Sequence, residues 1–217
     1  MALEFNGTSD NGVITASADF LYDADFTINI WLTVTSYANS PYIHDYSGTN
    51  NVFALAVNSG GALLCYKSAG GINISGGTIT AGKLHMATAS RISGNIYLSL
   101  DGVGVADAAQ AGDIGSNSVG PIFGKIGSSA SNFLAGNLVL LELYKGRGLT
   151  TAEVATKYAS RGSDNITNGL VYRALLNEGT DGANPTATQP IDVSGKSHVF
   201  TVTTSAVYRA APLRIIK

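Results

Sequence analysis

A glycoside hydrolase needs two carboxylates about 5 to 10 Å apart across the scissile bond, and alternate positions on a strand could supply them. The only alternate acidic pair in this sequence is Asp23 and Asp25. Both sit in the polar stretch before the run Phe26–Thr35, so they read as turn or capping residues first and ligand groups second. The histidines are His44, His85 and His198, and no two share helix or strand ligand spacing. Cys65 lies in the apolar run Ala62-Leu63-Leu64-Cys65-Tyr66 and reads as a small buried hydrophobe. No G-x-S-x-G elbow occurs. Gly195-Lys196-Ser197 resembles the end of a phosphate loop, but position 190 is Pro; Gly102-Val103-Gly104 has Asp107 where a third glycine would stand. These residues assign no catalytic group, no metal and no cofactor.

The strongest binding candidate is the segment from Tyr37 to Asn51. It places Tyr37, Tyr42, His44, Asp45 and Tyr46 among small polar residues. Aromatic faces beside hydrogen-bonding groups are what a sugar site uses. The same pattern also fits a half-buried strand with outward tyrosines, and both readings stay open. Lys145 and Arg147 border a glycine turn and read as solvated. Asn6-Gly7-Thr8, Asn73-Ile74-Ser75 and Asn165-Ile166-Thr167 match glycosylation sequons and are expected to be chance matches, since no export signal opens the sequence.

Those candidates must be positioned by strands. Phe26, Ile28, Ile30, Leu32 and Val34 fall on one face of a period-two run, and Thr27, Asn29, Trp31, Thr33 and Thr35 on the other. Phe53, Leu55 and Val57 alternate in the same way, as do Ile96, Leu98 and Leu100. His198–Tyr208 is rich in Val, Thr and aromatics. Clusters at Asn58-Ser59-Gly60-Gly61, Ser93-Gly94-Asn95 and Asp101-Gly102 supply tight turns. About a dozen strands at regular spacing predict a two-sheet sandwich. Leu138–Tyr144 is apolar on both faces apart from Glu142, which predicts a strand covered on both sides. One short helix is predicted near 151–160, with Thr150 as N-cap, Glu153 at N3 and Gly162 as the stop.

The 217 residues carry 13 basic and 15 acidic side chains, a net charge of −2. At 13%, charged residues are about half as frequent as usual. That disfavours electrostatic recruitment to nucleic acid or anionic membrane. With one cysteine, an intrachain disulfide is impossible. After Gly162 the composition turns to Ser, Asp, Asn and Thr, but Leu170-Val171-Tyr172 and Val199–Val207 resume strand patterning. Residues 163–217 are therefore expected to complete one domain spanning 1–217, because about 55 residues would make a poor domain alone.

Several phrases together resemble the concanavalin A-like or laminin G-like jelly-roll family. They are Leu3-Glu4-Phe5-Asn6-Gly7-Thr8-Ser9-Asp10, the strand Phe26–Leu32 with Trp31, the stretch Gly82–Gly102, and Phe133, Gly136, Leu143-Tyr144, Leu149-Thr150, Glu153 and Tyr158. The resemblance covers about residues 1–162. The sequence departs from it in two places: Leu84 replaces a common Trp, and Val139 and Leu140 stand where relatives carry acids that can support calcium. Gly169-Leu170-Val171, Asn177-Glu178-Gly179 and Asp192-Val193-Ser194-Gly195 resemble the opening of other relatives displaced to the C-terminus. The resemblance implies an all-β, two-sheet antiparallel jelly-roll sandwich. Together with the Gly-rich, charge-poor composition and the ending Tyr208–Arg214, it suggests a non-catalytic phage virion subunit: a head decoration, fibre or tail accessory protein. Such a subunit would be made in the host cytoplasm and placed on the virion surface. Its expected partners are capsid or tail proteins and copies of itself, a trimer by preference, with no nucleic acid and no membrane. The alternative is a lectin-like carbohydrate-binding module.

Overall fold

The computed structural model describes residues 1–38, 40–46, 53–67, 72–110, 120–127, 131–185, 190–203 and 205–210. Part of the Tyr37–Asn51 segment and the end of the Tyr208–Arg214 phrase lie outside them. The strands in chain order are β1 (Ala2–Asn6), β2 (Gly12–Ile14), β3 (Phe26–Val34), β4 (Tyr42–Tyr46), β5 (Phe53–Val57), β6 (Ala62–Lys67), β7 (Ile72–Thr78), β8 (Leu84–Ile92), β9 (Asn95–Leu100) and β10 (Val103–Ala109). They continue with β11 (Ile122–Phe123), β12 (Ala135–Lys145), β13 (Leu170–Ala174), β14 (Phe200–Val202) and β15 (Val207–Arg209), and α1 (Thr151–Ser160), the single α-helix among the described residues, lies between β12 and β13. The strands form two antiparallel sheets, the two-sheet sandwich that the alternation predicted and the jelly-roll that the family resemblance implied. Sheet A has eight strands in the order β10-β9-β8-β3-β12-β1-β15, with β13 also paired to β12; sheet B has the order β14-β2-β11-β4-β5-β6-β7.

Alternation builds the core. Phe26, Ile28, Ile30, Leu32 and Val34 of β3 point between the sheets and meet Phe53, Leu55 and Val57 of β5. Asp101 and Gly102 between β9 and β10 both have positive φ, 52° and 82°. That is the conformation of a two-residue hairpin turn whose twist matches the strands. A Cβ on Gly102 would also lie 2.8 Å from the Tyr158 Cβ, so the helix packs closely on this turn.

The three strands after residue 162 each extend a strand from the earlier chain. β13 pairs with β12, β14 with β2, and β15 with β1. Phe200 reaches the core and contacts Phe123 at 5.7 Å and Tyr172 at 6.5 Å between ring centroids. Asp10, almost fully buried, accepts from the Asn6 amide and bonds Ser205 Oγ, so the first and last strands share one polar anchor.

The second face of β3 is polar in sequence yet buried, because α1 and the segment after it cover the outside of sheet A. Trp31 stacks on Tyr158 at 5.6 Å with the rings 8° from parallel. The helix has the expected capping box between Thr150 and Glu153. It ends where the glycine implied: Arg161 is the C-cap, in the left-handed conformation at φ 52°, and Gly162 follows at 77°, its amide donating to the Lys157 carbonyl. Beneath the helix, Lys157 Nζ lies 3.0 Å from Glu142 Oε2 and 2.8 Å from Asp164 Oδ1. Asn29 donates to Glu142 Oε2 at 2.8 Å, and Thr88 donates to Asn29 at 2.6 Å. Arg173 Nε lies 3.4 Å from Glu142 Oε1. Burial works against ionisation of Asp164, but its hydrogen bond to Lys157 and the Lys157 charge outweigh that and hold the carboxyl below its usual range.

Candidate functional site

The outer face of sheet B carries two rows of paired side chains. One row runs Thr201, Val13, Ile122, Asp45, Ala54, Tyr66, Asn73 across all seven strands. The next holds Tyr42, Ala56, Leu64 and Ser75. Paired residues on neighbouring strands share a face. Since Phe53, Leu55 and Val57 fill the core, Ala54 and Ala56 and everything paired with them must face outward. The result is a pair of small outward side chains, Ala54 and Ala56, both buried among their neighbours. Tyr42 and Leu64 flank it in one row and Tyr66 in the other, with Asn73 and Ser75 exposed beyond them on β7.

A β-bulge makes this arrangement. Strict alternation would put Tyr42 and Asp45 on opposite faces and keep Tyr42 with His44. The register instead shifts between Tyr42 and His44, so Tyr42 pairs with Ala56, His44 with Leu55 and Asp45 with Ala54. Tyr42 and Asp45 therefore share the outer face, and His44 turns into the core. Tyr42 is half-buried, and burial first, then the Asp45 carboxylate and Tyr66, raise its phenol above the ordinary value. Tyr42 thus presents a neutral hydroxyl.

The sequence candidates separate into different roles. His44 is fully buried, bonded to the Tyr22 hydroxyl at 3.3 Å and packed on Phe123 at 5.0 Å. Asp45 is fully buried, and its Oδ2 accepts the Gly127 amide, which ties the segment after β11 to the sheet. Tyr37 donates its hydroxyl to the Ile79 carbonyl at 2.6 Å and leans on Gly61. These three support the face from within or beside it and do not present groups to a surface ligand. Tyr46 pairs with Phe53 in the strand ladder; its side chain, and residues 47–51, lie outside the described residues. Tyr66 and Leu64 were not singled out by the sequence, because the apolar run around Cys65 hides which of its members face outward.

The remaining chemistry-bearing residues are engaged structurally. Asp25 Oδ1 accepts the Ser93 amide at 2.9 Å, which ties the turn before β3 to the turn between β8 and β9. His85 Nδ1 bonds Asp101 at 2.7 Å while its Nε2 accepts the Thr80 amide at 2.9 Å. His198 bonds Asp19 at 3.1 Å and packs on Phe20 at 4.5 Å. Cys65 is buried, which pushes its thiol pKa up. Among the described residues, no group of three or more His, Cys, Asp or Glu could hold a metal ion, and no helix is long and apolar enough to cross a membrane.

Burial lowers the His44 pKa from 6.5 to about 3, opposed only in part by the backbone of Ile122. The unfolded chain binds a proton at His44 where the folded chain does not. The neutral buried ring thus stabilises fully above pH 6.5, and that contribution is lost as pH falls toward 3. In urea titrations, His44→Leu is expected to flatten the fall of stability in that window by up to about 1.4 kcal/mol per pH unit. An unchanged slope would show that the ring is not held neutral.

Chemically, the outer face offers two phenol rings, an alkyl side chain and neutral hydrogen-bonding groups. In its two rows Asp45 is the only carboxylate, and it is committed to Gly127. Ring faces stack on the C–H faces of pyranoses, and Asn, Ser and Tyr groups bond hydroxyls.

A family model described as the concanavalin A-like lectin/glucanases superfamily, Laminin_G_3, matches residues 6–155. Solved structures share the fold at low sequence identity. A candidate carbohydrate-binding protein from Bacteroides ovatus superposes with a TM-score of 0.71 at 14% identity, over 100% of this chain and 62% of that one. This chain therefore spans less than two thirds of that protein's length. The native heptameric SAP-like pentraxin from Limulus polyphemus gives a TM-score of 0.59 at 16% identity, over 94% of each chain. The CBM40 of the Ruminococcus gnavus IT-sialidase, bound to α2,3-sialyllactose, gives 0.57 at 14% identity, over 71% of this chain and 95% of that one. No curated protein matches by sequence.

Proposed function

Because this chain belongs to the concanavalin A-like lectin/glucanase superfamily, we propose that it is a non-catalytic carbohydrate-binding module whose ligand rests on the outer face of sheet B. The observation that carries this reading is the bulge in β4, which brings Tyr42 onto the same face as Tyr66 across Ala54 and Ala56. The two rings stack on sugar faces, and the exposed Asn73 and Ser75 bond hydroxyls at the rim. The non-catalytic part rests on the same face: hydrolysis needs a free carboxylate pair, and the one acid in these rows is buried and bonded to a backbone amide. Two of the structural relatives named above carry carbohydrate-binding descriptions, which favours this class over a virion subunit. The virion reading rests on composition and sequence phrasing alone.

The test is calorimetric titration of a neutral oligosaccharide ligand into the intact chain and its variants. Tyr42→Ala and Tyr66→Ala are each expected to weaken binding at least about tenfold, the loss of one stacked aromatic contact. Unaltered affinity in both, with unfolding midpoints unchanged, would remove the outer face of sheet B as the site.

A further inference from the structure

A second cleft, of about 440 Å³, opens on the opposite side of the sandwich, between the segment after α1 and the turn at 192–194. Pockets of this size hold small ligands. Ser163, Asp164 and Ser194 on its wall are already bonded, but the Asn165 amide and the Thr167 hydroxyl make no side-chain hydrogen bond among the described residues, and both residues are exposed. Arg173 enters the same wall. One of its five N–H donors goes to the Gly162 carbonyl and its Nε faces Glu142, which leaves donors for a ligand. Leu170, Leu175 and Val193 supply the apolar wall.

Charge decides the ligand class. Arg173 and Lys157 are met by Glu142 and Asp164, and Asp192 accepts the Arg173 amide at 3.1 Å. Three carboxylates around two cations leave no surplus positive charge to hold an anion. The unspent groups instead include donors and an acceptor beside alkyl surface, the pairing that a pyranose presents in its hydroxyls and C–H faces. We infer that this cleft is a second carbohydrate subsite, taking one neutral hexose unit through Asn165, Thr167 and Arg173. It shares only the ligand class with the outer-face site and uses none of its residues.

Amide NMR spectra of the intact chain, titrated with methyl glycosides of glucose, galactose and mannose and with glucuronate, test it. At least one neutral glycoside is expected to shift the amides of 163–167 and 193–194. Asn165→Ala and Thr167→Val are each expected to weaken that binding about tenfold, whereas Tyr66→Ala leaves it unchanged. Both substituted side chains are exposed and unbonded, so the variants fold. No shift in those amides, or shifts that both variants preserve, would overturn the subsite. Tighter binding of glucuronate than of glucoside would overturn the neutral class. Loss of outer-face binding with these shifts retained would separate this site from the first.

Discussion

Replacing Glu142 with alanine is expected to destabilise the protein by about 3–5 kcal/mol in urea unfolding, far more than any surface substitution. Glu142 is fully buried and accepts from both Asn29 and Lys157. Removing it leaves the Lys157 ammonium, about 1% exposed, with Asp164 as its one remaining carboxylate partner. It also strands the Asn29 amide inside sheet A. Paired buried charges are not a large source of stability in themselves, but breaking one side of a pair leaves the other uncompensated. The same substitution is expected to loosen α1, read as faster amide exchange across Thr151–Ser160 than in β3. A loss below about 1 kcal/mol would mean that water enters beneath the helix and screens Lys157.

Phe200→Ala is expected to cost a similar amount, about 3–5 kcal/mol, the usual penalty for emptying a buried aromatic site. Phe200 sits edge-on to Phe123 and Tyr172, and β2 accommodates it only because position 12 is glycine, whose Cβ would lie 2.2 Å from the ring. The outcome bears on domain organisation. If residues 163–217 complete one cooperative sandwich, the variant unfolds in a single transition at lower urea with an unchanged slope. If the C-terminal segment is a loosely docked unit, a second, earlier transition appears and the main one stays put.

The fold was legible where local chemistry carries it. Alternation in Phe26–Val34, the Asp101-Gly102 turn and the Thr150–Glu153 box each specify one conformation from a few neighbouring residues. The candidate site was legible only as a segment. Tyr42 stands out by type, but its face depends on a bulge, and a one-residue shift moves every later side chain to the opposite face. His44 and Asp45 look like surface ligands in sequence and are buried supports in space. Tyr66 joins Tyr42 through the pairing of β4, β5 and β6, which no spacing within either strand reveals. The ion cluster beneath α1 is similar: Asn29, Glu142, Lys157, Asp164 and Arg173 come from four separate stretches of chain, and each alone reads as an ordinary polar residue.

The most direct test of the carbohydrate-binding account is a glycan array probed with the intact chain and with the Tyr42→Ala/Tyr66→Ala double variant at equal unfolding midpoint. The account predicts retention of at least one class of neutral glycan by the intact chain and its loss in the double variant. An array on which the intact chain retains no glycan, or retains the same glycans with both tyrosines removed, would contradict it.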